Sequence, residues 1–242
     1  MSYLLYCVFR GGPSPEFEMP TGIHGKPVLV MDHGGLGAAV SAIEQLDPLP
    51  DVATVLAYEN VVESIFSRYT IIPMRYGCKV RDRMELAALL DERYNECDAL
   101  LSRLDGLAEM GIQFAANASH AGSTGASTAD PETSPHGTVR SGISYLLSKK
   151  QYYGDADRMT EQRNQVANAV CKTLSGLFVR HKVELPSRGT HVVSLYFLVP
   201  RTSVELFREA GRQCLKDGSM KLVVSGPWPP YNFADLSNIS GN

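Results

Sequence analysis

THVVSLYFLV, residues 190–199, is the stretch on which the fold turns. It is rich in β-branched and aromatic residues, so it predicts a buried strand. Reading onward, Thr202-Ser203-Val204-Glu205 has the spacing of a capping box and predicts a helix running to about Lys216. Asp217-Gly218 turns the chain, and MKLVVS at Met220–Ser225 predicts another strand. Reading back, Ser141–Arg180 predicts a long helix that carries Val166, Val170, Leu174, Leu177 and His181 on one face, with Gly154 placed to interrupt it. Pro186 and Gly189 mark the turn out of it, and GIQFAA at Gly111–Ala116 predicts a strand before it. Residues 117–139 are dominated by Ser, Thr, Gly, Ala and Pro and predict a flexible insert.

The N-terminal part has the same mixed character. YLLYCVF at Tyr3–Phe9 and PVLVM at Pro27–Met31 predict strands, separated by a Gly- and Pro-bearing loop over residues 10–26. LGAAVSAI at Leu36–Ile43 predicts a third strand, reached through Asp32-His33-Gly34-Gly35. Asp51 is placed to cap a helix whose buried face is read as Val52, Val55, Tyr58/Glu59, Val62, Ile65/Phe66 and Tyr69. TIIPMRYGCKV, residues 70–80, predicts a strand in which Pro73, lacking an N–H, must lie at an edge or bulge. Asp82–Ala108 predicts one core-facing helix, because Leu86, Leu90, Tyr94, Cys97, Leu101, Leu104 and Ala108 share a stripe. The order β-ββ-α-β, then α-β-(insert)-α-β-α-β, predicts an α+β protein with two units of split-βαβ type.

Composition narrows the function. Of 242 residues, 44% are hydrophobic and 20% charged, which allows a sizeable core in one large or two small domains. A net charge of −3 and the absence of any Lys/Arg run beyond Lys149–Lys150 argue against nucleic acid as a partner. No segment has the roughly 20 apolar residues of a membrane span. MSYLLYCVFR lacks the basic start of a signal peptide, so a cytoplasmic location is expected. Cys7, Cys78, Cys97, Cys171 and Cys214 are odd in number and widely spaced, as expected of reduced thiols rather than of a disulfide framework or zinc site.

The residues supply no catalytic constellation. His33-Gly34-Gly35-Leu36-Gly37 lacks the third glycine of a dinucleotide fingerprint, and no P-loop lysine exists, so a hairpin turn is the expected reading. No G-x-S-x-G elbow occurs, and the histidines at 24, 33, 120, 136, 181 and 191 have no metal-site spacing. Glu92, Glu96 and Asp98 with Arg93 and Arg103 read as a solvated helix face. His181 reads as a last-turn residue favoured by the helix dipole. Arg75, inside an apolar stretch, is expected at a sheet edge beside a carboxylate.

The tail SGPWPPYNF, residues 225–233, holds the one Trp of the chain. Pro227-Trp228-Pro229-Pro230 satisfies P-x-x-P, the pattern of a polyproline ligand. Its attachment to a core strand, with Tyr231 and Phe233 following, favours a plug in which Trp228 packs back onto its own domain.

YLLYCVF, SRYTIIPMRYG, GISYLLSKK and above all SGPWPPYNF together resemble the gas vesicle GvpF/GvpL family, in order and spacing, from about residue 3 to residue 235. The resemblance implies two domains. Residues 1–80 would be a modified ferredoxin-like domain (β-ββ-α-β), and residues 81–242 an α+β domain with long helices, a small sheet and the insert 117–139. It implies a non-enzymatic, structural assembly protein, cytoplasmic and associated with the gas vesicle, with no catalytic residue, cofactor or metal. The implied partners are the small hydrophobic shell protein and other accessory proteins. Two other readings stay open: an enzyme assembled from dispersed residues such as Arg75, His33 and Glu59, and an adaptor acting through Pro227–Pro230.

Overall fold

A computed structural model describes residues 2–12, 14, 16–115, 160–161, 163–186, 192–213 and 222–234. The expected insert 117–139, the helical reading over 141–159 and Cys214 lie outside the described residues. The first sheet contains β1 (Ser2–Arg10), β2 (Leu29–His33), β3 (Leu36–Ile43), β4 (Ile71–Pro73) and β5 (Lys79–Val80). Its order is β2-β3-β1-β4, all antiparallel, and β5 pairs with the start of β1 beyond the end of β4. The second contains β6 (Leu107–Ala115), β7 (Arg180–Glu184), β8 (Val192–Pro200) and β9 (Leu222–Trp228), in the antiparallel order β7-β8-β6-β9. The molecule is therefore a mixed α/β protein built on two antiparallel sheets.

β1 is buried on both faces, which explains its unbroken apolar run. A register shift between Leu5 and Cys7 lets Tyr6 and Cys7 join Leu4 and Phe9 on one face, while Leu5 and Val8 serve the other. Against the first face packs helix α1 (Val52–Phe66), started by the Asp51 carboxylate, which accepts from the Thr54 N–H at 2.8 Å. The buried Tyr58 hydroxyl donates to the carbonyls of Leu5 and Met74, so the contact carries no polar debt. Against the second face pack α2 (Arg83–Glu92) and α3 (Tyr94–Leu104). His33-Gly34-Gly35-Leu36 is the β2–β3 hairpin turn, with φ of 61° at Gly34 and 87° at Gly35, positions where side-chain-bearing residues are strained.

Several expectations are corrected. Residues 70–80 form two short strands rather than one: Pro73 ends β4, and Gly77, at φ 104°, turns the chain before β5. Asp82–Ala108 is two helices and the start of β6. Arg93, at φ −107° and ψ 14°, leaves helical geometry because α2 follows β2 and β5 while α3 follows β1 and β4, and one straight rod cannot track a twisted sheet. Leu86, Leu90, Cys97, Leu101 and Leu104 are buried as the stripe required, but Tyr94 is exposed and Ala108 belongs to β6. On α1, Tyr58, Val62, Ile65 and Phe66 are buried as expected, but Thr54 and Val61 complete the face while Val52 and Val55 are exposed to solvent.

In the second sheet, helix α4 (residues 163–173) and α5 (Val204–Gln213) share one face. Their core with β6 and β8 is Met110, Ile112, Phe114, Val170, Leu174, Val193, Leu195, Phe197, Val199 and Phe207. The expected helix to Arg180 stops earlier. His181 is a strand residue of β7, paired with Phe197 and stacked on its ring, not a helix C-terminal residue. The helix expected to open at Thr202–Glu205 is α5, preceded by a short 3-10 turn (Arg201–Ser203). Arg201 holds this corner: its guanidinium lies 3.9 Å from the centre of the Phe66 ring and donates to the Phe66 carbonyl at 2.7 Å. Leu198 and Phe233 join the core beneath α2 and α3, so the two sheets share apolar contact there.

Candidate functional site

Ionisable groups are the first place to look for chemistry, and the structure spreads them out. His33 Nε2 lies 2.8 Å from the Asp91 carboxylate of α2, at hydrogen-bond distance, on one side of the first sheet. Glu59 lies on α1, on the opposite side, and accepts from the Tyr231 hydroxyl at 3.1 Å. Arg75 sits in the exposed β4–β5 connection, and its charge favours the ionised form of Glu109. His33 therefore stands apart from Glu59 and Arg75, whose neighbours Tyr231 and Glu109 meet at the tail. Burial pushes the Cys78 thiol up to about 11 and the Cys7 thiol higher still, so neither is an activated nucleophile. Among the described residues, no group of three or more His, Cys, Asp or Glu could hold a metal ion, and no helix is long and apolar enough to cross a membrane.

The tail is built differently from its sequence reading. Pro227 and Trp228 are the last residues of β9, and Trp228 is paired opposite Glu109 with 43% of its surface exposed. The expected buried Trp is thus corrected. Pro229 and Pro230 are buried instead and turn the chain inward, with the Tyr231 N–H donating to the Pro229 carbonyl and the Phe233 N–H to the Pro230 carbonyl. Tyr231 and Phe233 do the packing assigned to Trp228: Tyr231 lies against the α1 side of the first core, and Phe233 enters its other side. A polyproline ligand needs its prolines extended and open, and here Pro227 is in a paired strand while its followers are buried.

Glu109 fastens this tail. Its carboxylate is almost fully buried and accepts from the Asn232 backbone N–H at 2.8 Å and the Asn232 side-chain amide at 2.7 Å. Burial raises its pKa above the ordinary carboxylate range, offset by the Asn232 hydrogen bonds and by the charges of Lys182 and Arg75. Burial likewise raises Glu59, offset by the Tyr231 hydroxyl and reinforced by Glu63. No sequence motif points to Glu109, because a lone carboxylate in a strand carries no spacing signal.

The surface best suited to contact with another chain lies at the other end of the first sheet. β2 is its terminal strand and pairs only with β3, so one edge of its backbone carries no strand among the described residues. Between that edge and α2 runs an open groove of about 310 Å³, lined by Val30, Met31, Asp32, His33, Arg83, Leu86, Ala87 and Leu90. Its lining mixes aliphatic with charged side chains, and more of its surface is polar than apolar. The sequence reading named the strand and the helix but not the groove, which depends on how α2 crosses the sheet edge.

A family model described as gas vesicle synthesis protein GvpL/GvpF matches residues 2–235. The chain is 26% identical over 245 residues to gas vesicle protein F of a Streptomyces species, covering 97% of this chain and 100% of the relative. It is 20% identical over 213 residues to gas vesicle protein F1 of Halobacterium salinarum, covering 86% and 82%. Its fold is similar to the crystal structure of GvpF from an Anabaena species, with a TM-score of 0.77 at 16% identity over 100% of this chain and 99% of that one. The corresponding structure from Microcystis aeruginosa gives 0.74 at 15% identity over 97% and 99%.

Proposed function

The chain belongs to the GvpL/GvpF family of gas vesicle synthesis proteins, and from that premise we propose that it is a non-enzymatic accessory protein that covers the hydrophobic shell subunit before it enters the vesicle wall. The observation that carries this reading is the family match along nearly the whole chain. The β2 edge supports it, since it offers backbone pairing to one partner segment. A shell subunit that lines a gas space exposes apolar surface and aggregates when free. A protein that binds the dispersed subunit lowers its free concentration by mass action, without chemistry. Other accessory proteins of the same assembly are further partners in this reading, and the location is the cytoplasm at the growing vesicle.

In this reading residues 1–80 would form a modified ferredoxin-like domain, with a loop where the first crossover helix would stand, and residues 81–242 an α+β domain with long helices and a small sheet. Pro229–Phe233 would then close the joint as a plug, with Pro227 and Trp228 on its outer rim, Pro73 at the end of the edge strand β4 and Arg75 in the connection that follows it.

The test is direct. Freshly dispersed shell subunit is followed by light scattering with and without an equimolar amount of this protein, and binding is measured in parallel. Delay of aggregation and a stable complex are expected. Unchanged scattering together with no binding would overturn the proposal.

A further inference from the structure

Helix α1 has one face more than its core needs. Its inner face is spent on the first sheet, yet the opposite face of its first turns exposes aliphatic side chains: Val52 is 75% and Leu56 63% exposed, with Val55 beside them. Leu49, 86% exposed, stands just ahead of the helix. Solvent faces of helices are ordinarily polar, and a contiguous aliphatic cluster on one marks a contact surface.

The cluster is also held in place. Leu49 lies between Pro48 and Pro50, its backbone N–H donates to the Asp47 carboxylate at 2.8 Å, and the Tyr76 hydroxyl donates to the Asp47 carbonyl at 3.2 Å. A rigid presentation of this kind lowers the ordering cost of binding.

The frame around it is acidic. Glu44, Asp47 and Asp51 lie exposed before the cluster and Glu63 after it. No Lys or Arg occurs between Lys26 and Arg68. We propose that this face of α1 docks a partner segment whose aliphatic side chains are flanked by Lys or Arg, that is, a basic amphipathic helix. Apolar contacts at i, i+3 and i+4 spacing would meet Leu49, Val52 and Leu56, and the basic flanks would meet the carboxylates. A second copy of this chain is disfavoured, because a two-fold contact would set the acidic frame against itself. An anionic lipid surface is disfavoured by the same charge. α1 covers the sheet face opposite α2, so this surface is separate from the β2 groove and does not depend on what the groove binds.

The probe is a fluorescently labelled synthetic amphipathic helix with Leu on one face and Lys beside it, compared with a version carrying Glu for Lys. Both are titrated with the full chain and read by anisotropy. The Lys peptide is expected to bind at least about tenfold more tightly than the Glu peptide, with affinity falling as salt rises. The double variant Val52→Ser, Leu56→Ser is expected to lose at least about tenfold in affinity with its melting temperature nearly unchanged, since both side chains are exposed. Glu63→Lys is expected to weaken the Lys peptide independently. Met84→Ser, at an exposed apolar site on α2, is the control and is expected to leave binding intact. Equal binding of the two peptides overturns the proposal. So does full binding by the Val52/Leu56 double variant, or an equal loss in Met84→Ser. Self-association of the free protein that disappears in the double variant would assign the face to a second copy and overturn it as well.

Discussion

The two sheets have the same strand order but are covered differently. Numbered within its own unit, each runs second-third-first-fourth strand, all antiparallel. In the first sheet the connection from first to second strand is the Gly- and Pro-bearing stretch before β2, with a single 3-10 turn at Ile23–Gly25. In the second it includes α4. The first sheet therefore keeps only α1 on that face and recruits α2 and α3 to the other, so β1 is enclosed on both sides. The second carries α4 and α5 on one face and leaves Glu109, Gln113, Ser194 and Tyr196 on the other. One topology thus accommodates two burial patterns, and the strand sequences follow burial rather than topology: YLLYCVF is continuous, whereas β8 alternates. Leu198 departs from the alternation because the second sheet meets the first core there.

The comparison can be broken first at the helix-covered core of the second sheet. Phe197 is fully buried, with the Phe207 ring centre 5.2 Å away, and Phe197→Ala is expected to cost about 3–5 kcal/mol in a denaturant melt. A loss below about 1 kcal/mol would mean that this face is not a packed core. The joint between the sheets is the next target. Glu109→Gln places an amide where only acceptors suit Asn232, and a loss of about 1–3 kcal/mol is expected, with the tail near Tyr231 becoming cleavable in limited proteolysis. A tail that stays protected would show that Glu109 does not fasten it.

A smaller effect is the pH slope. Glu109 and Glu59 both have folded pKa values raised by burial, so between the unfolded and folded values the native state binds more protons than the unfolded chain. Their contribution to stability is therefore greatest below the ordinary carboxylate pKa and is lost as pH rises through the raised folded values. Glu109→Gln is expected to flatten that part of the stability–pH curve, measured by melts from acidic to neutral pH. An unchanged slope would assign it to other groups. The smallest effect belongs to Trp228. With its ring partly in solvent, Trp228→Ala is expected to cost less than about 1 kcal/mol. As the single Trp, it is expected to fluoresce with a red-shifted emission that iodide quenches. A blue-shifted, protected emission would restore the buried plug.

Much of the fold could be read from local pattern. The strands at Tyr3–Phe9 and Leu36–Ile43, the cap at Asp51 and the glycine hairpin rest on short-range rules of burial, capping and left-handed backbone. The errors arose where one pattern admits two packings. α1 has apolar residues on more than one face, and periodicity added Val52 and Val55 to the stripe with Tyr58, Val62, Ile65 and Phe66, although the sheet took Thr54 and Val61 instead. The same ambiguity concealed the outward aliphatic patch. At Arg93 neither Gly nor Pro signals the break, and the PWPP segment names its prolines without saying which ring turns inward.

By itself, the sequence determined the mixed α/β class, most of the strands, the helix start at Asp51 and, through segments spread from residue 3 to residue 235, the family resemblance. These depend on composition and on neighbours a few residues apart. The tertiary structure alone decided which face of α1 is buried, where the second helix bends, that Glu109 grips Asn232 across the chain, and that Tyr231 and Phe233 rather than Trp228 enter the core. Those outcomes depend on pairings between residues far apart in the chain, 53 positions for Tyr58 with Leu5 and 123 for Asn232 with Glu109, and for such pairings the local pattern of the chain carries no register.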